Sequence, residues 1–129
     1  MLDHIGIDVA DIARSRRFYA AALAPLGYVM TKDHGTATGF GVPRGEKESS
    51  DPAGEFWIAQ GDPHPPLTHV AFSAASRAAV EAFHKAALAA GGRDNGGPGL
   101  RPQYHADYYA AFILDPDGYN IEAVCHRPE

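Results

Sequence analysis

Cysteine is nearly missing from this chain. Cys125 stands alone among 129 residues, so no internal disulfide can form, and a reducing cytoplasm is the expected compartment. Positive charge is also short. Eleven Lys and Arg against sixteen Asp and Glu leave a net charge of −5, which argues against nucleic acid or an anionic membrane as a partner. No apolar run approaches the roughly 20 residues that span a bilayer. The start, Met1-Leu2-Asp3-His4, lacks the basic stretch and apolar core of a signal peptide. What remains is an ordinary globular composition, 45% hydrophobic and 21% charged, long enough for one domain or two small fused modules. Histidine breaks the pattern of scarcity. Seven are more than this length usually carries, a first sign of chemistry.

An internal repeat organises the chain. LDHIGIDVADIARSRRFYAAALAPLG, from Leu2, aligns without a gap on LTHVAFSAASRAAVEAFHKAALAAGG, from Leu67, at an offset of 65. His4 falls on His69, Phe18 on Phe83 and Gly27 on Gly92. Each copy opens with period-2 alternation, in which Ile5, Ile7 and Val9, or Val70, Phe72 and Ala74, share one face of a strand. Each then enters a helix behind an N-capping residue, Asp11 or Ser76, with Ile12, Phe18, Leu23 and Leu26, or Val80, Phe83 and Ala87, on the buried stripe. Glycines close both helices. Strand-like runs follow at 28–32, 37–42 and 55–60, then at 100–105, 108–114 and 119–125, with an exposed loop over 43–54. Three prolines stiffen the connection between the copies. The expectation is an α+β domain over 1–129. It is made of two βαβββ modules, 1–61 and 67–129, joined by a linker at 62–66. Their sheets curl around a cleft built within one chain or between two.

Alternation then assigns faces. If the helix covers Ile5, Ile7 and Val9, His4 points the other way, into the cup, and His69 does the same in the second copy. In the last strand Ile121, Ala123 and Cys125 lie under the helix, so Glu122 and Val124 face the cup. Two imidazoles and a carboxylate with open positions suit a divalent Fe, Mn, Ni, Co or Zn ion. A lone histidine at a strand start is more often a hydrogen-bonded structural residue than a ligand. Its repetition at the same module position, with a glutamate of matching parity, favours the ligand set. A dry, unpaired carboxylate is costly, and a cation stabilises its ionised form.

LDHIGIDVAD, LTHVAFSA and above all FILDPDGYNIEAV resemble the vicinal oxygen chelate superfamily, which includes glyoxalase I, fosfomycin-resistance enzymes, extradiol dioxygenases and bleomycin-resistance proteins. The resemblance covers nearly the whole chain. It implies paired βαβββ modules, a metal held by His4, His69 and Glu122, and commonly a homodimer, in which each cleft is built within one chain or completed by modules from two. Subtracting 65 from Glu122 lands on Trp57, where glyoxalase I has a fourth, carboxylate ligand. Indole nitrogen is a donor, not a ligand, so a three-ligand site is expected unless Glu55, of the same parity, takes that place. An extradiol-type pattern would match His105 but has Phe112 where a tyrosine belongs, and cations for a phosphonate are few, Arg101 and Arg93. In LRPQYHADYYAAF, Tyr104, His105 and Tyr109 are candidate catalytic groups. Tyr108 and Arg101, with Trp57 from the first module, are candidates for binding an aromatic or oxygen-bearing substrate, although tyrosines near a strand also serve dimer interfaces. His34, His64, His84 and His126 are expected at surface or structural positions. The expected function is a metal-dependent enzyme of the glyoxalase or dioxygenase kind. The alternative is a metal-free protein that sequesters a small molecule in the manner of bleomycin-resistance proteins.

Overall fold

The structure, a computed structural model, describes residues 2–43 and 54–129. The first repeat forms β1 (Ile5–Val9), α1 (Ile12–Leu23), β2 (Val29–Asp33), β3 (Ala37–Gly41) and β4 (Phe56–Gln60). The second forms β5 (Val70–Ser73), α2 (Arg77–Ala89), β6 (Arg93–Asp94), β7 (Gly99–Leu100), β8 (Tyr109–Leu114) and β9 (Asn120–Cys125). Capping follows the sequence expectation. The Asp11 carboxylate accepts from the Arg14 amide at 3.0 Å, and the Ser76 hydroxyl from the Ala79 amide at 3.1 Å. At the end of α1, Pro25 tightens the chain into a 3-10 turn that closes on Gly27 at φ 86°.

Two sheets result, in the orders β1-β4-β3-β2 and β5-β9-β8-β6, with β7 paired to β8. The first strand of each repeat runs parallel to the last, Gly6 opposite Trp57 and Ala71 opposite Glu122. The offset of 65 therefore survives into the pairing register, and Trp57, not Glu55, is the counterpart of Glu122. The strand expected over 100–105 is not formed. Pairing stops at Leu100, and residues 101–108 form turns closed by the Arg101 amide donating to the Tyr108 carbonyl at 2.7 Å. Pro102 has no amide to continue a ladder. Most of the loop expected over 43–54 lies outside the described residues.

α1 packs on α2, and one core runs through both modules, from Phe18, Phe40 and Phe56 to Phe72, Phe83 and Ile121. Phe56 meets Phe72 edge-on at 5.2 Å across the module boundary. The helices occupy one face of each sheet, so the alternate positions in β1 (Gly6, Asp8) and β5 (Ala71, Ser73) are exposed. The chain turns back on itself at Gly54. Its φ is +104°, and a Cβ there would lie 2.4 Å from the Phe40 carbonyl oxygen, so only glycine fits. A Cβ at Gly41 would in turn lie 2.9 Å from the Gly54 Cα.

The turn DPDGY, between β8 and β9, locks the modules together. Tyr19, inside α1, donates its hydroxyl to Asp115 at 2.5 Å, with both residues buried. The other Asp115 oxygen accepts from the Asp117 and Tyr119 amides, each at 2.9 Å. Asp117 takes the Arg14 guanidinium at 3.0 Å, and the Tyr119 hydroxyl donates to the Asp8 carbonyl at 2.6 Å. Burial, and then the Asp115 charge, push the Tyr19 phenol well above its ordinary range; burial also raises the Asp115 carboxyl. Tyr19→Phe strands a buried carboxylate oxygen and should lower stability by about 1–3 kcal/mol in urea unfolding. Arg14→Ala, at a half-exposed pair, should lower it by less than about 1 kcal/mol.

Candidate functional site

Glu122 lies at the centre of β9, 2% exposed, with Ala71 and Phe112 as its lateral neighbours. Its carboxylate has two partners. Oε1 accepts the Tyr108 hydroxyl at 2.5 Å, and Oε2 stands 2.9 Å from His69 Nε2. The other imidazole nitrogen, His69 Nδ1, is 2.8 Å from the Asn120 carbonyl oxygen. A carbonyl only accepts, so Nδ1 carries a proton, and Nε2 either donates a second proton to Glu122 or turns a lone pair toward it. Two acceptors at 2.9 Å need a cation between them, either a proton or a metal ion. A ligating histidine has this same arrangement, with its second nitrogen fixed by a backbone carbonyl.

An aromatic wall surrounds the pair. Phe112 stacks on His69 at 6.2 Å between centroids, and the Arg101 guanidinium lies over Phe112 at 5.4 Å. Tyr108 meets Tyr104 at 4.8 Å, His105 at 5.4 Å and His126 at 5.1 Å. The Asp107 amide donates to His105 Nδ1, so His105 Nε2 is the donor toward His126 Nδ1, at 2.9 Å. Burial, followed by the hydrogen bond and charge of Glu122, pushes the Tyr108 hydroxyl up to about 12.

Of the residues expected at the site, the structure brings together His69, Glu122, Tyr108, Tyr104, His105 and Arg101. It turns Tyr109 away. β8 alternates, so Tyr109 shares the helix-facing side with Ala111 and Ile113, where its hydroxyl donates to Glu81 of α2 at 2.8 Å beneath Arg77. This residue ties a sheet to a helix and does not belong with the candidate catalytic groups. Trp57 belongs to the other sheet, where its ring stacks on His34 and its indole donates to the Gly54 carbonyl at 3.2 Å. His4, its side chain 56% exposed, is 2.7 Å from Asp3. Among the described residues no three His, Cys, Asp or Glu side chains gather to hold a metal ion, so His4 is not joined to His69 and Glu122 within one chain. Glu55 and His69 line a common cavity of about 290 Å³ at the seam of the two sheets, with Leu2, Tyr28 and Phe72. His126, expected at a surface or structural position, is exposed and stands at the edge of the wall beside His105. Its signal was present in the alternation, because 122, 124 and 126 share one face.

A family model described as Glyoxalase/Bleomycin resistance protein/Dioxygenase superfamily matches residues 1–123. A crystal structure of a glyoxalase/bleomycin resistance protein from Albidiferax ferrireducens T118 is 32% identical, with a TM-score of 0.74 and 98% of each chain covered. A glyoxalase-related enzyme from Fulvimarina pelagi shares the fold at 15% identity, with a TM-score of 0.72 and 97% of this chain and 87% of that chain covered. A variant of the fosfomycin resistance protein of Listeria monocytogenes, complexed with Mn(II) and 1S,2S-dihydroxypropylphosphonic acid, shares it at 20% identity. Its TM-score is 0.67, with 96% of this chain and 88% of that chain covered. A comparison with curated proteins finds no match.

The Tyr108–Glu122 contact has a measurable signature. Ionising Tyr108 places a second negative charge beside the carboxylate, so in chelator-treated protein it should titrate near pH 12. Glu122→Gln should bring it part of the way back toward 10, because burial still acts. NMR titration of ring-labelled tyrosine checks this, and an unmoved Tyr108 would separate the hydroxyl from the carboxylate.

Proposed function

Because the chain belongs to the Glyoxalase/Bleomycin resistance protein/Dioxygenase superfamily, we propose that it is a metal-dependent enzyme acting on a small substrate that chelates through neighbouring oxygens. One observation carries this reading. His69 Nε2 and Glu122 Oε2 face each other at 2.9 Å while Nδ1 is committed to the Asn120 carbonyl, a donor set that fits a divalent ion. The proposed third ligand is His4, supplied by a second copy of the chain in a homodimer. The Mn(II) complex of the Listeria protein lends weight to such an ion, with Fe, Ni, Co and Zn as the other candidates. When bound, the ion supplies Lewis-acid polarisation of a substrate oxygen.

The chain's own groups divide the remaining work. Glu122 holds the single Tyr108 hydroxyl proton at neutral pH, so the Tyr108 oxygen offers a lone pair that orients a substrate hydroxyl. His105, which donates to His126, stands beside it as the group able to exchange protons with solvent. Tyr104, 61% exposed, forms the mouth. A second reading, metal-free sequestration of a flat ligand, is favoured by the same ring wall.

Metal analysis of protein purified without added metal or chelator separates the two. Wild type should retain an ion that His69→Ala and Glu122→Gln lose, whereas equal metal content in all three sinks the enzyme reading. Mixing His4→Ala with Glu122→Gln copies tests the dimer. Sites shared between chains regain metal in the mixed dimer, since one of its two sites is intact, and sites within one chain do not.

A further inference from the structure

Arg101 stands beside this site, and among the described residues it has no counter-ion. Arg14 has Asp117 at 3.0 Å and Arg16 has Asp33 at 3.1 Å, but among the described residues no carboxylate pairs with Arg101. Its guanidinium is held by neutral groups. Nη2 donates to the Gly97 carbonyl at 2.7 Å, Nη1 approaches the Leu100 carbonyl at 3.5 Å, and the Phe112 ring lies beneath. Carbonyl dipoles and a ring face orient a cation without cancelling its charge.

The local sequence, NGGPGLR over 95–101, is shaped to house this group. A Cβ at Gly96 would lie 3.3 Å from Nη2 and 3.2 Å from the Phe112 ring, and one at Gly99 would lie 3.1 Å from Nη1. The Arg101 amide, bonded to the Tyr108 carbonyl, closes the turns that also carry Tyr104 and His105. The half-buried fork is therefore fixed before any ligand arrives, with further N–H groups left to donate. It also shares Phe112 with His69, which places it on the Glu122 side of the sheet.

We propose that Arg101 is an anion subsite beside the His69–Glu122 pair, and that the natural ligand is a small, flat carboxylic acid whose carboxylate sits on the guanidinium fork. One fork matches one monoanion, and the neighbouring ring wall matches a flat apolar body. The proposal rests on reading the Glu122 pocket as a substrate site, but it does not require the metal.

Benzoate is the probe, titrated into the full-length chain in chelator and followed by calorimetry and by the Arg101 Nε–H resonance. Phenylphosphonate and benzyl alcohol are the comparison ligands. Benzoate should saturate wild type and shift that resonance, and should bind at least about tenfold more weakly to Arg101→Met. Arg101→Lys, which keeps charge without the fork, should fall between the two. Benzyl alcohol should bind both wild type and Arg101→Met weakly and alike. Unfolding midpoints confirm that the variants are folded, and Arg101→Lys serves if Arg101→Met is not. Absence of saturable benzoate binding, equal affinity for wild type and a folded variant, or an unmoved Arg101 resonance overturns the subsite. Phenylphosphonate binding more tightly than benzoate overturns the carboxylate assignment. Loss of the metal reading alone leaves every one of these results unchanged.

Discussion

The pairing of Tyr19 with Asp115 is the constraint on which the arrangement of the two modules depends. A buried carboxylate and a buried phenol are each costly alone, and each satisfies the other at 2.5 Å. Through its second oxygen Asp115 also gathers the amides of Asp117 and Tyr119, which shapes the turn from which β9 departs. The strand bearing Glu122 is thus launched from a point anchored in the helix of the other module. A local contact in α1 fixes where the chemistry of β9 can be.

From that anchor, alternation along two strands assigns the roles. Positions 121, 123 and 125 enter the core, while Glu122 is free to meet His69 and Tyr108. Where the turns enter β8, two adjacent tyrosines part. Tyr108 faces the carboxylate, and Tyr109 crosses to α2 and braces the sheet against Glu81. Burial of Glu122 is tolerated because both of its oxygens have partners, one the Tyr108 hydroxyl and the other the His69 imidazole.

Much of this was legible without coordinates. The offset of 65 located both helices and their caps, since a duplicated module repeats its local physics. Parity placed Glu122 opposite the core and matched it to His69. Three things resisted. Tyr109 was read as a site residue because two aromatic neighbours look alike until a strand register assigns them to opposite faces. The 100–105 strand stops at Leu100 because Pro102 has no amide to pair and the Arg101 amide closes onto the Tyr108 carbonyl. The separation of His4 from His69 was beyond sequence reasoning, because alternation gives the face of each sheet but not how two sheets are disposed. That disposition comes from helix packing and from the Tyr19 contact, neither of which has a periodic signature.

The approach of Gly41 to Gly54 has a different kind of consequence. Gly41, at the end of β3, and Gly54, just before β4, are in near contact, so the backbones of the two strand ends meet with no side chain between them. The register of β3 against β4 is set by Phe40 on Phe56. The pairing of the two strands therefore rests on the core aromatics and on this glycine approach.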